Sequence, residues 1–183
     1  TQSRTELLAD LYPLPFPNDL FDFWQWANAD RESRETIENV LAMSFAGPLD
    51  VLDGKFEDSE LVYPTILHWR YLFDPPEFST LFVGNEDGLH WGYWFDDPGH
   101  SEPFVAYWWA RDAFEIYQAG KTIFDAVWNR IDTCREGIVE NIDYDPDYRA
   151  EYEADLAAIS RLESKLPKRR KLQRRKAIRT DLN

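Results

Sequence analysis

One cysteine, Cys134, stands in 183 residues, so an internal disulfide is excluded and no thiolate pair is offered to a metal. That agrees with a reducing compartment. No uninterrupted run of about 18 apolar residues occurs, which excludes a transmembrane helix, and the amino end lacks a basic-then-apolar leader pattern. The expected compartment is the cytosol, or the nucleus in a eukaryotic chain, with no membrane partner. Histidine is scarce: His68, His90 and His100 are the three, and none stands at helical metal-site spacing from another His or from Cys134. No GxSxG, HExxH, P-loop or dinucleotide fingerprint occurs, so neither cofactor nor metal is called for.

Acid and aromatic rings are abundant. Aromatic residues make up 16% of the chain within a hydrophobic share of 44%, enough for one ordinary core and too much for a disordered chain. Charge is divided: Thr1 to Leu166 carries 12 Lys+Arg against 33 Asp+Glu, whereas Pro167 to Asn183 carries 8 basic residues against Asp181 alone. An acidic body repels phosphates and anionic lipid and steers basic partners toward itself, or serves plain solubility.

Ile66 to Gly99 organises the rest. Its runs Ile66–Phe73, Phe78–Gly84 and Leu89–Phe95 are parted by Asp74-Pro75-Pro76 and Asn85-Glu86-Asp87-Gly88, and read as a three-stranded meander. Trp94 is out of phase with Trp91, so rings fall on both faces. Such a sheet needs cover on both sides or exposes a patch that binds something. Pro103–Ala110 supplies a further strand, and Leu49–Leu52 a short one.

Helices flank the sheet. Thr5–Leu11 has the spacing of one or two turns. Asn18 offers an N-cap to a helix striped with Leu20, Phe23, Trp24 and Ala27, and Ile37, Val40 and Leu41 mark a second, short one. Apolar spacing from Asp112 to Ile131 predicts a helix that Gly120 interrupts, and Asp147–Leu166 predicts the last one. The expected class is α+β: an antiparallel sheet of about four to six strands packed by helices, with a carboxyl-terminal helix. The expected divisions are a body at 1–142, a peripheral helix at 143–166 and a mobile basic tail or linker at 167–183.

The residues of the sheet fall into a recognisable order. LPFPNDLFDFW (14–24), GPLDVLDGK (47–55), LHWRYLFDPPEFSTLFVG (67–84), HWGYWFDDP (90–98) and PFVAYW (103–108) resemble the amino-terminal domain of the histone PARylation factor family. HWRYLFDPPEF is the most specific stretch. Members of that family accompany ADP-ribosyltransferases, and their domain is similar to the SUKH superfamily, many of whose bacterial members are immunity proteins against toxins. The resemblance implies a SUKH-like α+β fold and a protein-binding role. In the animal factor a following carboxyl-terminal domain supplies the acidic residue that completes the polymerase active site. No stretch here matches it, so no catalytic residue is carried over, and the chain is expected to be a single-domain relative or a fragment.

Candidate binding residues sit at the ends of the meander. Trp69, Arg70, Asp74 and Glu77 make a polar hot spot beside rings, or else Asp74 caps the turn and Arg70 satisfies a nearby carboxylate. Trp94, Asp96 and Asp97 form the other group. His68 and His90 make a catalytic or metal pair if their strands share a face, or simply close hydrogen bonds. Asp50, Asp53, Glu57, Asp58 and Glu60 hold a divalent ion or form a solvated rim. The basic residues of 168–179 suit phosphates, yet no aromatic interleaves them, so nucleic acid is not an expected partner of the body. The expected function is a non-catalytic module that binds and modulates a protein, such as an ADP-ribosyltransferase. The alternatives are an immunity protein neutralising a toxin and an enzyme using His68 and His90.

Overall fold

A computed structural model describes residues 3–57, 63–112, 115–169 and 177–179. Asp58, Glu60, Phe114 and the stretches 170–176 and 180–183 of the basic segment lie outside the described residues.

Caps and prolines set the helix boundaries. Helix α1 (Arg4–Leu11) begins at Ser3, whose hydroxyl accepts from the Glu6 N–H while the Glu6 carboxylate accepts from the Ser3 N–H. Helix α2 (Asn18–Ala29) starts one residue earlier than expected: Pro17 occupies the cap position and Asn18, the expected cap, is already helical. Its stripe of Leu20, Phe23 and Ala27 is buried, as the spacing predicts. Helix α3 (Arg31–Glu35) widens into a π turn over Thr36–Val40.

The sheet is antiparallel throughout and its strands lie in chain order: β1 (Ser44–Phe45), β2 (Phe78–Val83), β3 (Leu89–Trp94), β4 (Phe104–Trp109), β5 (Ile116–Gly120) and β6 (Ala177–Arg179). Alternation along β3 sorts its side chains as expected. Leu89, Trp91 and Tyr93 join Val105 and Tyr107 in the main core beneath α2 and helix α5 (Ile123–Tyr144), where Ile123, Val127 and Ile131 meet them. Trp94 faces the other way, into a smaller cluster with Phe78, Ala106, Trp108 and Ile116. Both faces are covered, so the rings of the sheet are core. With helix α6 (Arg149–Lys165), which adds Ile159 and Leu162 to the main core, the molecule is α+β.

Three expected elements come out differently. Leu49–Leu52 is not a strand but part of helix α4 (Pro48–Leu52), started by Pro48 in the first turn, since three apolar residues around Asp50 are too short a pattern to tell one from the other. The helix expected across 112–131 is strand β5 followed by α5. Thr122 forms a capping box with Asp125 there, and a side chain on Gly120 would stand 2.3 Å from Asp125 Cβ, so the glycine permits a tight strand-to-helix corner. Ile66–Phe73 is not a strand either. It opens with a 3₁₀ turn at Thr65–Leu67 and continues as a chain of turns across the second face of the sheet.

Part of the expected tail is placed. The Trp128 indole donates to the Pro167 carbonyl, Arg169 pairs with Asp132 and lies over the Trp128 ring, and β6 adds to the β5 edge. Among the described residues no helix is long and apolar enough to cross a membrane.

Gly92 is fixed by close packing. A Cβ there would stand 2.4 Å from the Ser79 carbonyl and 2.7 Å from the Phe78 ring, so Gly92→Ala must push β2 off β3. A loss of about 1–3 kcal/mol is expected, read as a lower urea midpoint at unchanged slope.

Candidate functional site

Residues 63–77 belong to no strand, and their backbone is held by side chains, some their own and some from elsewhere in the chain. Successive tight turns (His68 N–H to Thr65 O, Asp74 N–H to Tyr71 O, Phe78 N–H to Pro75 O) fold the segment onto the sheet. Arg70 is its central tie: the guanidinium donates to the carbonyls of Phe78 (3.1 Å), Asp74 (2.9 Å) and Pro75 (2.7 Å). Five N–H donors in a planar fork can meet three carbonyls at once, which no other side chain does. The carboxylate expected to neutralise Arg70 is thus replaced by backbone oxygens.

Asp74 ties the segment to the sheet. One carboxylate oxygen accepts from the Tyr71 N–H at 2.9 Å, the turn-capping role expected of it, and the other lies 2.9 Å from Nε2 of His90. His90 is wholly buried in β3. Its Nδ1–H donates to the Gly88 carbonyl at 2.7 Å, the Trp108 indole N–H reaches Nε2 at 2.8 Å, and the rings of Tyr71, Phe78 and Trp108 surround it. His68 packs edge-on against Phe56 instead. No hydrogen bond or ring contact among the described residues joins the two histidines, and His90 is closed to a substrate.

The near end is anchored as firmly. Trp69 has φ of 60°, uncommon for a bulky residue, and is kept there by its indole donating to Asp50 (3.0 Å) and by the Thr80 hydroxyl donating to its carbonyl (2.9 Å). Tyr12 donates to the Thr65 carbonyl; burial, and next the Asp50 charge, push its phenol well above the ordinary value, so it stays a donor.

With the polar groups turned inward, the apolar ones face water. Leu72 is 90% exposed, Phe73 62%, Leu67 54% and Trp69 49%, with Tyr63 beside them. An open groove of 560 Å³ runs between Ile66, Leu67, Tyr71, Leu72 and Pro76, with Arg70 and Asp74 also in its lining. Large apolar side chains presented on a fastened backbone gain nothing from folding, and a surface of this kind is what interaction sites are built from.

The candidate residues therefore divide. Trp69, Arg70 and Asp74 come together, Trp69 at the surface and the other two beneath it. Glu77 follows, its carbonyl accepting from the Phe95 N–H and its Oε2 buried with no hydrogen-bond partner among the described residues. Trp94 ends β3 opposite Phe78, four residues and about 13 Å from His90, and Asp96 and Asp97 follow just past the strand. Trp94 is 4% exposed and its indole donates to Asp96, so its ring belongs to the second-face cluster; Asp96 and Asp97 are exposed. Tyr63, Leu67, Leu72 and Phe73 were not singled out in the sequence, and no local signal marks them.

Of the carboxylates read as ion ligands or a loose rim, the three among the described residues have partners, Glu57 pairing with Arg4. Asp50 pairs with Lys55 at 2.8 Å and Asp53 with Arg34 at 2.5 Å. Among the described residues no group of three or more His, Cys, Asp or Glu side chains is placed to hold a metal ion.

Residues 3–180, which include this ridge and every group that fastens it, match the family model described as Histone PARylation factor 1. The chain belongs to that family. Histone PARylation factor 1 of Danio rerio is 39% identical over 130 residues, 69% of this chain and 37% of the relative. That of Bos taurus is 32% identical over 121 residues, 63% of this chain and 35% of the relative, and that of Mus musculus is 33% identical over 82 residues. This histone PARylation factor family chain spans about a third of the length of the first two relatives.

Proposed function

We propose that this chain is a non-catalytic docking module acting in ADP-ribosylation, which holds a protein partner, an ADP-ribosyltransferase, on the ridge at 63–73 and modulates it. The observation that carries this is the ridge itself: Leu67, Trp69, Leu72 and Phe73 exposed together on a backbone fastened by Arg70 and Asp74. The relatives' name, histone PARylation factor, supports the choice of partner. A pre-ordered apolar surface loses little freedom on binding, so two large side chains at its crest suffice as anchors.

The test is binding of an ADP-ribosyltransferase to the immobilised chain, wild type against Leu72→Ala/Phe73→Ala. The expected result is binding weakened by about thirtyfold, some 2 kcal/mol of lost contact, with an unchanged urea midpoint because both side chains are exposed. Equal binding by the variant removes the ridge from the interface. Absence of binding to the wild type, together with a toxin gene beside this one, would replace the transferase by a toxin as partner.

A further inference from the structure

Beneath the ridge, three groups compete at one buried nitrogen. The Gly88 carbonyl can only accept, so Nδ1 of His90, 2.7 Å away, carries a hydrogen. The Trp108 indole N–H can only donate, and the Nε2 lone pair 2.8 Å away is its acceptor. Asp74 Oδ1 stands 2.9 Å from that same nitrogen. A carboxylate oxygen and a ring lone pair are both acceptors, and at this separation they repel unless a hydrogen lies between them. The other carboxylate oxygen is engaged by the Tyr71 N–H, so Asp74 cannot turn away without losing that bond.

Two placements of the hydrogen resolve the contact. On Oδ1 it is donated by Asp74 to Nε2; on Nε2 it is donated by His90 to Asp74, and Trp108 gives up its acceptor. In both, the pair holds one proton more than a carboxylate and a neutral imidazole, and its net charge is zero. A site where neither side chain has any solvent exposure favours that. Few charges stand near enough to change it. β2 and β4 present the rings of Phe78 and Trp108, and the Tyr71 ring lies 4.8 Å from the imidazole. Arg70 is spent on three backbone carbonyls, Arg111 is exposed over the Tyr71 ring, and Glu86 and Asp87, in the turn before β3, are exposed. We infer that a single proton shared by Asp74 and His90 latches the ridge, and that its removal at rising pH loosens residues 65–74 and with them the docking surface.

Proton counting gives the direction. At about pH 7.5 to 8.5 the carboxylate and imidazole of an unfolded chain hold no such proton. The folded pair holds one, so its contribution to stability is present at the acid end of that range and is lost toward the alkaline end, by about tenfold in the folding constant per pH unit. Asn at position 74 offers a fixed N–H to Nε2 and an oxygen to the Tyr71 N–H, which reproduces the closed latch with no proton to lose.

Urea unfolding of the full chain in steps across that pH range, wild type against Asp74→Asn, tests this. The wild-type folding constant is expected to fall about tenfold more per pH unit than that of the variant, groups common to both, such as the Cys134 thiol, cancelling in the comparison. Equal slopes overturn the inference. Wild type alone gives a second readout by nitrogen and carboxyl NMR near the lower pH: a proton on Asp74 or on Nε2 is expected, and an ionised Asp74 beside an unprotonated Nε2 overturns the latch. Control of docking rests on the ridge being the interface. Wild type is expected to bind an ADP-ribosyltransferase with a steeper loss toward alkaline pH than Asp74→Asn, and equal pH dependence would sink that half of the inference. The first two measurements need no partner, so a transferase that fails to bind at any pH counts against the docking and not against the latch.

Discussion

Asp74→Ala is expected to destabilise the fold by about 3–5 kcal/mol, the range for breaking a buried, hydrogen-bonded partnership on one side only. The Asp74 side chain has no solvent exposure and neither does that of His90. Its removal leaves the Tyr71 N–H without an acceptor and takes from His90 the oxygen that lies 2.9 Å from Nε2. Asn in its place keeps an acceptor for Tyr71 and is expected to cost less. Urea unfolding measures both. Hydrogen exchange gives the local view: amides of 65–74 are expected to speed up before those of β3 and β4, because the segment comes away from a sheet that remains paired. A stability within about 1 kcal/mol of wild type would mean that the carboxylate is not what fastens the segment.

Arg70→Lys is expected to behave almost as badly as Arg70→Ala, with a loss of about 2–4 kcal/mol, although charge is kept. Three carbonyls around one guanidinium demand a planar fork; a single ammonium on a flexible stem satisfies one or two and leaves the rest buried without donors. Here affinity for the partner and stability fall together, since the ridge loses its fastening. Leu72→Ala/Phe73→Ala, by contrast, lowers affinity alone. If Arg70→Lys kept wild-type stability, the lysine would be an adequate tie and the fork irrelevant.

The central sheet was legible because its signals are local. The period of two from Leu89 to Phe95, with Gly92 in the middle and a Gly88 turn before it, places β3 and its two faces, and the i, i+3, i+4 spacing of Leu20, Phe23 and Trp24 places α2. The ridge was hidden for the opposite reason. Ile66–Phe73 has the aliphatic and aromatic content of a strand, and what prevents it from being one lies far along the chain: Asp50 under Trp69, Thr80 on the Trp69 carbonyl, His90 under Asp74. The motif HWRYLFDPPEF could therefore be recognised as a family mark before its mechanics were visible. Trp69, Arg70 and Asp74 were named as candidates by residue type, whereas Leu72 and Phe73 were assigned to a strand and not singled out. Gly120 was read as a flaw in a helix because the spacing of Tyr117 and Ile123 also suits one; the Thr122 and Asp125 caps decide otherwise.

The sheet's outer strands are its shortest, two residues in β1 and three in β6, beside central strands that are buried along nearly their whole length. A hydrophobic sheet with long free borders would recruit neighbours strand by strand and build toward fibrils; stubby borders offer too few backbone groups for that zippering to begin. Among the described residues the two borders thus leave strand-by-strand self-association little backbone to begin from, even with adhesive side chains on the ridge.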